Sequence, residues 1–238
     1  MHYLDLTLPT PAENLALDEA LWEAGEQDGV ERLRFWESPA PFVVLGYANR
    51  VASEVDLAAC RLRGIPVLRR ITGGGTVLQG PGCLNYTLIL RVTPDGPTSG
   101  IPSTNRYIMH RHAAALTTTL GKPVRCCGDT DLALEGRKFS GNAQRRGRRA
   151  LLFHGTFLLG MDANLVRAVL PMPTRQPPYR SGRSHDDFLT NLGVKTVTIQ
   201  QALRQAWAAT DPDAPPPLDR VSALVATKYE RPEWVFRF

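Results

Sequence analysis

A chain of 238 residues, 43% of them apolar, is long enough for one large domain with a buried core, which excludes a disordered or fibrous chain. There is no apolar run of about eighteen residues and no basic segment leading into an apolar one at the N-terminus, so neither a spanning helix nor a secretory signal is expected and the predicted location is cytoplasmic. The formal charge of +5 is scattered except for Arg145, Arg146, Arg148 and Arg149 around Gly147, a pattern that reads as a solvated hairpin tip rather than a docking patch. No aromatic residue interleaves those arginines, so no nucleic-acid partner is predicted, and without a spanning run no membrane is predicted either.

In chain order, Thr10-Pro11-Ala12-Glu13 has the form of a capping box opening a helix that carries Leu17, Leu21 and Ala24 on one face. Leu33 to Trp36 and Phe42 to Gly46 read as strands, Ser53 as the cap of a short helix ending near Gly64, and Pro66 to Arg70 as the next strand. Strands are predicted at Thr76 to Gln79 and Leu84 to Arg91, then a long helix from Ser103 or Thr104 that Gly121 stops. A meander follows, with strands at Asp131 to Leu134, Arg137 to Ser140, Ala150 to Phe153 and Thr156 to Leu159. Helices are expected at Ala163 to Leu170, Ile199 to Ala208 and near Arg220 to Tyr229, separated by proline-rich loops. These elements describe a single α+β domain over 1–238 with mixed or antiparallel sheets flanked by helices, and a helical C-terminal part from about residue 162.

Two segments carry chemistry. In Arg69-Arg70-Ile71-Thr72-Gly73-Gly74-Gly75-Thr76-Val77, two cations lead into glycines whose bare backbone can turn successive N–H groups toward an anion. It is neither a P-loop nor a dinucleotide fingerprint, and a tight hairpin would use the same residues. In Gly136-Arg137-Lys138-Phe139-Ser140-Gly141-Asn142-Ala143, Lys138 stands beside small residues that leave room for a ligand at its ammonium, although an edge strand also favours lysine. His154 before Gly155 and Thr156 reads as a structural histidine or as a hydrogen-bonding group at the same site. The cysteines Cys60, Cys83, Cys126 and Cys127 show no zinc spacing and read as reduced thiols.

Taken together, these two segments, Leu84-Asn85-Tyr86, His154-Gly155-Thr156, Asn14-Leu15-Ala16-Leu17-Asp18, Val44 to Asn49 and Gly128 to Leu132 resemble the lipoate-protein ligase family in order and spacing over nearly the whole chain. The resemblance implies the biotin/lipoate ligase catalytic-domain fold and an enzyme that activates lipoate or octanoate with ATP and passes the acyl group to a lysine of a lipoyl carrier domain. Such carriers are the E2 of 2-oxoacid dehydrogenases or a glycine-cleavage H-type protein. It makes Lys138 catalytic, and Arg69, Arg70, Gly73, Gly74, Gly75, Thr76, Val77, Asn49, Asn85, Ser140, Gly141, Asn142, Ala143, His154, Gly155 and Thr156 candidates for binding substrate or adenylate. Asp129 and Asp131 are candidates for Mg²⁺, or ordinary turn aspartates.

The arginine-rich Gly-Arg-Gly motif of biotin ligases is absent, which disfavours biotin. Lys228 to Phe238 resembles the place where larger ligases enter an accessory domain, so a catalytic domain without that accessory domain is expected. Three routes stay open: a separate accessory subunit, unaided adenylation, or transfer of an already activated acyl group. The runner-up is an octanoyl or lipoyl transferase that uses Cys126 or Cys127 as nucleophile, and a non-catalytic lipoate-binding or carrier-docking subunit ranks third.

Overall fold

The computed structural model describes residues 1–238. Strand β1 (His2–Asp5) precedes helix α1 (Pro11–Asp28), whose Thr10 and Glu13 form the expected capping box, with Gly29 closing the helix at φ +66°. Then come β2 (Arg32–Trp36), β3 (Phe42–Leu45), α2 (Val51–Glu54), α3 (Leu57–Leu62), β4 (Val67–Arg69), β5 (Val77–Gln79), β6 (Cys83–Arg91) and α4 (Ile101–Leu120). The meander is β7 (Val124–Cys127), β8 (Asp131–Leu134), β9 (Arg137–Arg146) and β10 (Ala150–Leu158). The C-terminal part holds α5 (Ala163–Val169), a 3₁₀ turn (Pro178–Arg180), α6 (His185–Phe188), α7 (Thr196–Trp207), β11 (Asp211–Pro212), α8 (Leu218–Leu224), a π-helical turn (Val225–Tyr229) and α9 (Pro232–Val235).

An eight-stranded sheet has the order β11-β1-β2-β6-β10-β9-β8-β7, and a three-stranded sheet the order β4-β3-β5. Pairing is parallel where β1 meets β11 and β2 and where β3 meets β4, and antiparallel elsewhere, so the α+β reading holds. Alternation along β6 and β10 sends Leu84, Tyr86, Leu88, Leu151, Phe153 and Phe157 into one core, with Ile108 and Leu116 of α4 and Leu203 and Trp207 of α7. Ile89 and Leu152, on the opposite face, pack with Leu17, Ala20 and Leu21 of α1. A third cluster joins the small sheet to α3 and α5 through Val43, Leu45, Cys60, Leu78, Val166 and Val169. No helix is long and apolar enough to cross a membrane.

Four boundaries differ from expectation. The helix assigned to a Ser53 cap is two pieces, and Asp56 caps the second by accepting from Ala59 N at 2.8 Å. Helix α4 starts at Ile101 after Gly100, while Ser103 Oγ accepts from Gly100 N at 3.0 Å from inside the first turn. Strand β9 runs past Ser140 to Arg146. The two strands expected around His154-Gly155 are one: Gly155 pairs with Tyr86 on one side and Asn142 on the other, so its glycine serves packing rather than a turn.

Candidate active site

The face of β6 and β10 that α1 covers changes character along its length. Ile89 and Leu152 are followed on the same face by Thr87 with His154, then Asn85 with Thr156, and above these polar residues a cavity opens. The small sheet and the loop after β4 face them, and the proline-rich segment from Pro171 to Pro178 bounds another side. The volume is about 530 Å³, enough for a medium-sized ligand.

The glycine loop is held from below. Gly74 O approaches so near Gly46 that a Cβ there would lie 2.1 Å from it, and Gly74 itself has φ +85°. Arg70 Nη2 donates to Gly73 O at 2.6 Å and Gly75 O at 2.8 Å, and its Nε donates to Thr72 Oγ1 at 2.9 Å. With those carbonyls turned inward, none of the four backbone N–H groups from Gly73 to Thr76 donates to an acceptor in the protein. Arg70 has no carboxylate partner, and burial alone lowers its pKa to about 10. Exposed, unpaired amides beside a buried, uncompensated cation make an anion cradle.

Across the cavity, one extra residue in β9 bulges the ladder where the β8 register shifts between Leu132 and Ala133, re-aiming Lys138. The lysine stem lies over Gly141, where a Cβ would come within 2.8 Å of Cε. Its Nζ is 2.8 Å from Asp131 Oδ1, while Asp131 Oδ2 accepts from Tyr179 Oη at 2.7 Å. Burial and then the Asp131 charge push the Tyr179 phenol well above its usual range, so it stays a donor. Asn142 is fixed by Tyr86 Oη donating to its Oδ1 at 2.6 Å and by its own Nδ2 donating to Thr130 O at 2.6 Å. That side chain lies over Gly155, where a Cβ would sit 1.7 Å from Asn142 Oδ1.

Between the two walls lie Thr156, which donates to Asn85 Oδ1 at 2.6 Å and accepts from Gln79 Nε2 at 3.0 Å, and His154, flanked by Thr72 and Asp18. Thr76 Oγ1 and Gln79 Oε1 are buried cavity-lining atoms with no partner in the protein.

Most residues singled out in the sequence therefore surround one cavity: Arg70, Gly74, Gly75, Thr76, Val77, Asn85, Lys138, Gly141, Asn142, Ala143, His154, Gly155, Thr156, Asp129 and Asp131. Arg69 does not reach it. Strand alternation turns Arg69 the other way, where its guanidinium donates to Gly46 O, Tyr47 O, Asn49 O and Val235 O at 2.8 to 3.0 Å. Asn49 belongs to that same turn, Ser140 is buried beneath the floor as a partner of Asn142, and Gly73 contributes its carbonyl to Arg70.

Cys126 and Cys127 stand off the cavity wall, and burial raises both thiols above the usual range. No group of three His, Cys, Asp or Glu side chains is arranged for a metal; Asp131 is engaged by Lys138 and Tyr179, which leaves exposed Asp129 as the carboxylate without an ion-pair partner. No local pattern marks Tyr179, which reaches Asp131, the partner of Lys138, from the 3₁₀ turn 48 residues further along the chain. Of the arginine cluster, Arg145 stacks over Trp22 and Arg146 donates to Ser99 O, leaving Arg148 and Arg149 as the solvated tip.

The profile of the lipoyl protein ligase A/B catalytic domain matches residues 10–209. A protein of Aeropyrum pernix named "Putative lipoate-protein ligase A" is 33% identical over 70% of this chain, which spans 61% of that relative's length. An octanoyltransferase LipM of Geobacillus kaustophilus is 28% identical over 99% of this chain and 97% of its own. Among solved structures, a bipartite lipoate protein ligase of Thermoplasma acidophilum, described with its E2 lipoyl domain, superposes at TM-score 0.85 with 24% identity, covering 99% of this chain and 95% of that one. A lipoate-protein ligase A bound with ATP superposes at TM-score 0.85 with 24% identity, covering 99% of each chain. These superpositions establish the fold as that of the biotin/lipoate ligase catalytic domain.

Proposed function

Because the chain belongs to the lipoyl protein ligase A/B catalytic-domain family, we propose that it activates lipoate or octanoate with ATP and passes the acyl group to a lysine of a lipoyl carrier domain. The observation that carries this reading is the pairing of two walls: the free amides from Gly74 to Thr76 backed by Arg70, and Lys138 opposite. A phosphate held between them meets donors from both sides.

In the first step a carboxylate oxygen attacks the α-phosphorus of ATP, an O–P bond forms, and pyrophosphate leaves with the electron pair of the bond that breaks. Lys138 and the glycine amides offset the charge that grows on the phosphoryl oxygens. In the second step the carrier's lysine amine attacks the acyl carbon, AMP leaves, and the amine proton passes to solvent. Lys138 again opposes the charge on the carbonyl oxygen and is not the nucleophile. Asp131 holds Lys138 until an anionic substrate competes for it. Mg²⁺ enters as part of the nucleotide substrate, with Asp129 the carboxylate free to meet it. Support for lipoate, ATP and an E2 carrier comes from the relatives named for them.

The octanoyltransferase relatives favour a second reading, in which a thiolate carries the acyl group from one carrier to another. Against it stand the positions of Cys126 and Cys127 off the wall and the upward shift of both thiols. Lipoate-dependent exchange of labelled pyrophosphate into ATP tests the ligase reading. No exchange, together with transfer from an octanoyl-carrier protein that stops on substitution of Cys126 or Cys127, would establish the transferase instead.

A further inference from the structure

Beneath the glycine wall runs a chain of hydrogen bonds from Arg70 to Asp18. Arg70 Nε can only donate, so Thr72 Oγ1, 2.9 Å away, accepts from it. The same hydroxyl lies 2.7 Å from His154 Nε2, and His154 Nδ1 lies 3.1 Å from Asp18 Oδ2. Asp18 is buried, which opposes its charge, yet Arg34 at 2.6 Å and His154 outweigh that and hold its carboxyl below the usual range. An ionised carboxylate accepts, so in the neutral imidazole the proton sits on Nδ1 and Nε2 accepts the Thr72 hydroxyl hydrogen.

We infer that Asp18, His154 and Thr72 are positioning residues that set the orientation of Arg70, and through it the outward turn of the glycine amides. Thr72 and Asp18 are 1% and 2% exposed and the His154 side chain 12%, so water has little access to these bonds. With Nε anchored on Thr72, the guanidinium plane directs Nη2 at Gly73 O and Gly75 O. Without that anchor only the long bond from Nη1 to Val44 O, at 3.4 Å, holds the plane from behind, and the hold on the carbonyls that face inward loosens. Arg34, which also donates to Asn14 Oδ1 at 2.6 Å, ties the far end of the chain to helix α1.

The functional consequence rests on the anion-cradle reading of the loop; the relay itself does not. Nitrogen-15 NMR of the unliganded protein at neutral pH is expected to show His154 as the Nδ1–H tautomer with Nε2 unprotonated. Thr72→Val, nearly isosteric, is expected to shift the amide signals of Gly73, Gly74 and Gly75 and to weaken binding of inorganic pyrophosphate about tenfold, with Thr72→Ser restoring both. An imidazolium or Nε2–H tautomer overturns the relay, as do wild-type glycine signals in Thr72→Val. Failure of the wild type to bind pyrophosphate counts against the cradle alone, because the tautomer and the amide signals still decide the relay.

Discussion

Arg69 and Arg70 are neighbours in the chain and hold opposite sides of one sheet edge. Arg69 stitches the turn after β3 to the C-terminal segment, where Trp234 Nε1 returns a bond to Arg69 O at 2.9 Å, while Arg70 grips the glycine loop. Arg69→Ala is therefore expected to cost about 3 kcal/mol or more, because several buried carbonyls lose their donor at once. Arg70→Lys, a point charge in place of a planar fork, is expected to lower adenylate formation at least a hundredfold with a smaller loss of stability. Urea titration and pyrophosphate exchange on both variants separate the two roles, and equal profiles would refute the division.

Lys138→Met keeps the stem over Gly141 and removes the charge. Turnover is expected to fall by about a hundredfold or more, with the melting temperature little changed, since the ion pair lost is partly exposed. Wild-type turnover in this variant would remove Lys138 from the chemistry.

Gly155→Ala drives a methyl into Asn142 Oδ1 and forces the amide off Tyr86 and Thr130. A loss of roughly 2–3 kcal/mol is expected, along with most of the activity. Because Asn142 makes the two tightest of the three close contacts and Gly141 O, at 2.9 Å, the third, the double variant Gly155→Ala/Asn142→Ala is expected to lose much less stability relative to Asn142→Ala than Gly155→Ala loses relative to the wild type, a coupling that thermal denaturation reads directly.

Cys126→Ser and Cys127→Ser, singly or together, are expected to leave lipoate-dependent transfer within about twofold, since neither thiol lines the cavity. Loss of transfer in either variant supports the thiolate route.

His112 is buried, accepts from Trp207 Nε1 at 2.8 Å, and burial followed by Arg111 lowers its pKa to about 3 from 6.5. The unfolded chain binds the extra proton between those values, so stability is expected to fall as pH drops below 6.5, by up to about 1.4 kcal/mol per unit, levelling off near 3. His112→Gln is expected to flatten that slope in urea titrations at pH 5 and pH 7; an unchanged slope assigns the acid sensitivity to other groups.

Local signals in the sequence located α1, the meander and the residues that meet at the cavity, because capping boxes, glycine junctions and alternation act over a few residues. What lay beyond reach were pairings made across the fold. Asp18 reads as one helical residue among others until β10 brings His154 to it, and Tyr179 sits in a proline-rich loop with no periodicity to place it. Arg69 was within reach: alternation from Arg70 already puts the two on opposite faces. Gly155 misled because a glycine between strand-like runs suggests a junction, whereas here it makes room for the side chain across the ladder.

The donors from Gly73 to Thr76 belong to the main chain, whereas the opposite wall and the floor are made of side chains. No exchange of side chain deletes a backbone amide; only proline does, or a distortion of the loop itself. Variation is thereby partitioned: on the proposed function, mutation can reshape the side-chain part of the cavity, where an acyl tail would lie, while the main-chain donors proposed to grip the anion stay chemically constant. A library aimed at new acids can diversify Leu15, Trp36 and Leu78, which also line the cavity, and leave residues 72–76 untouched.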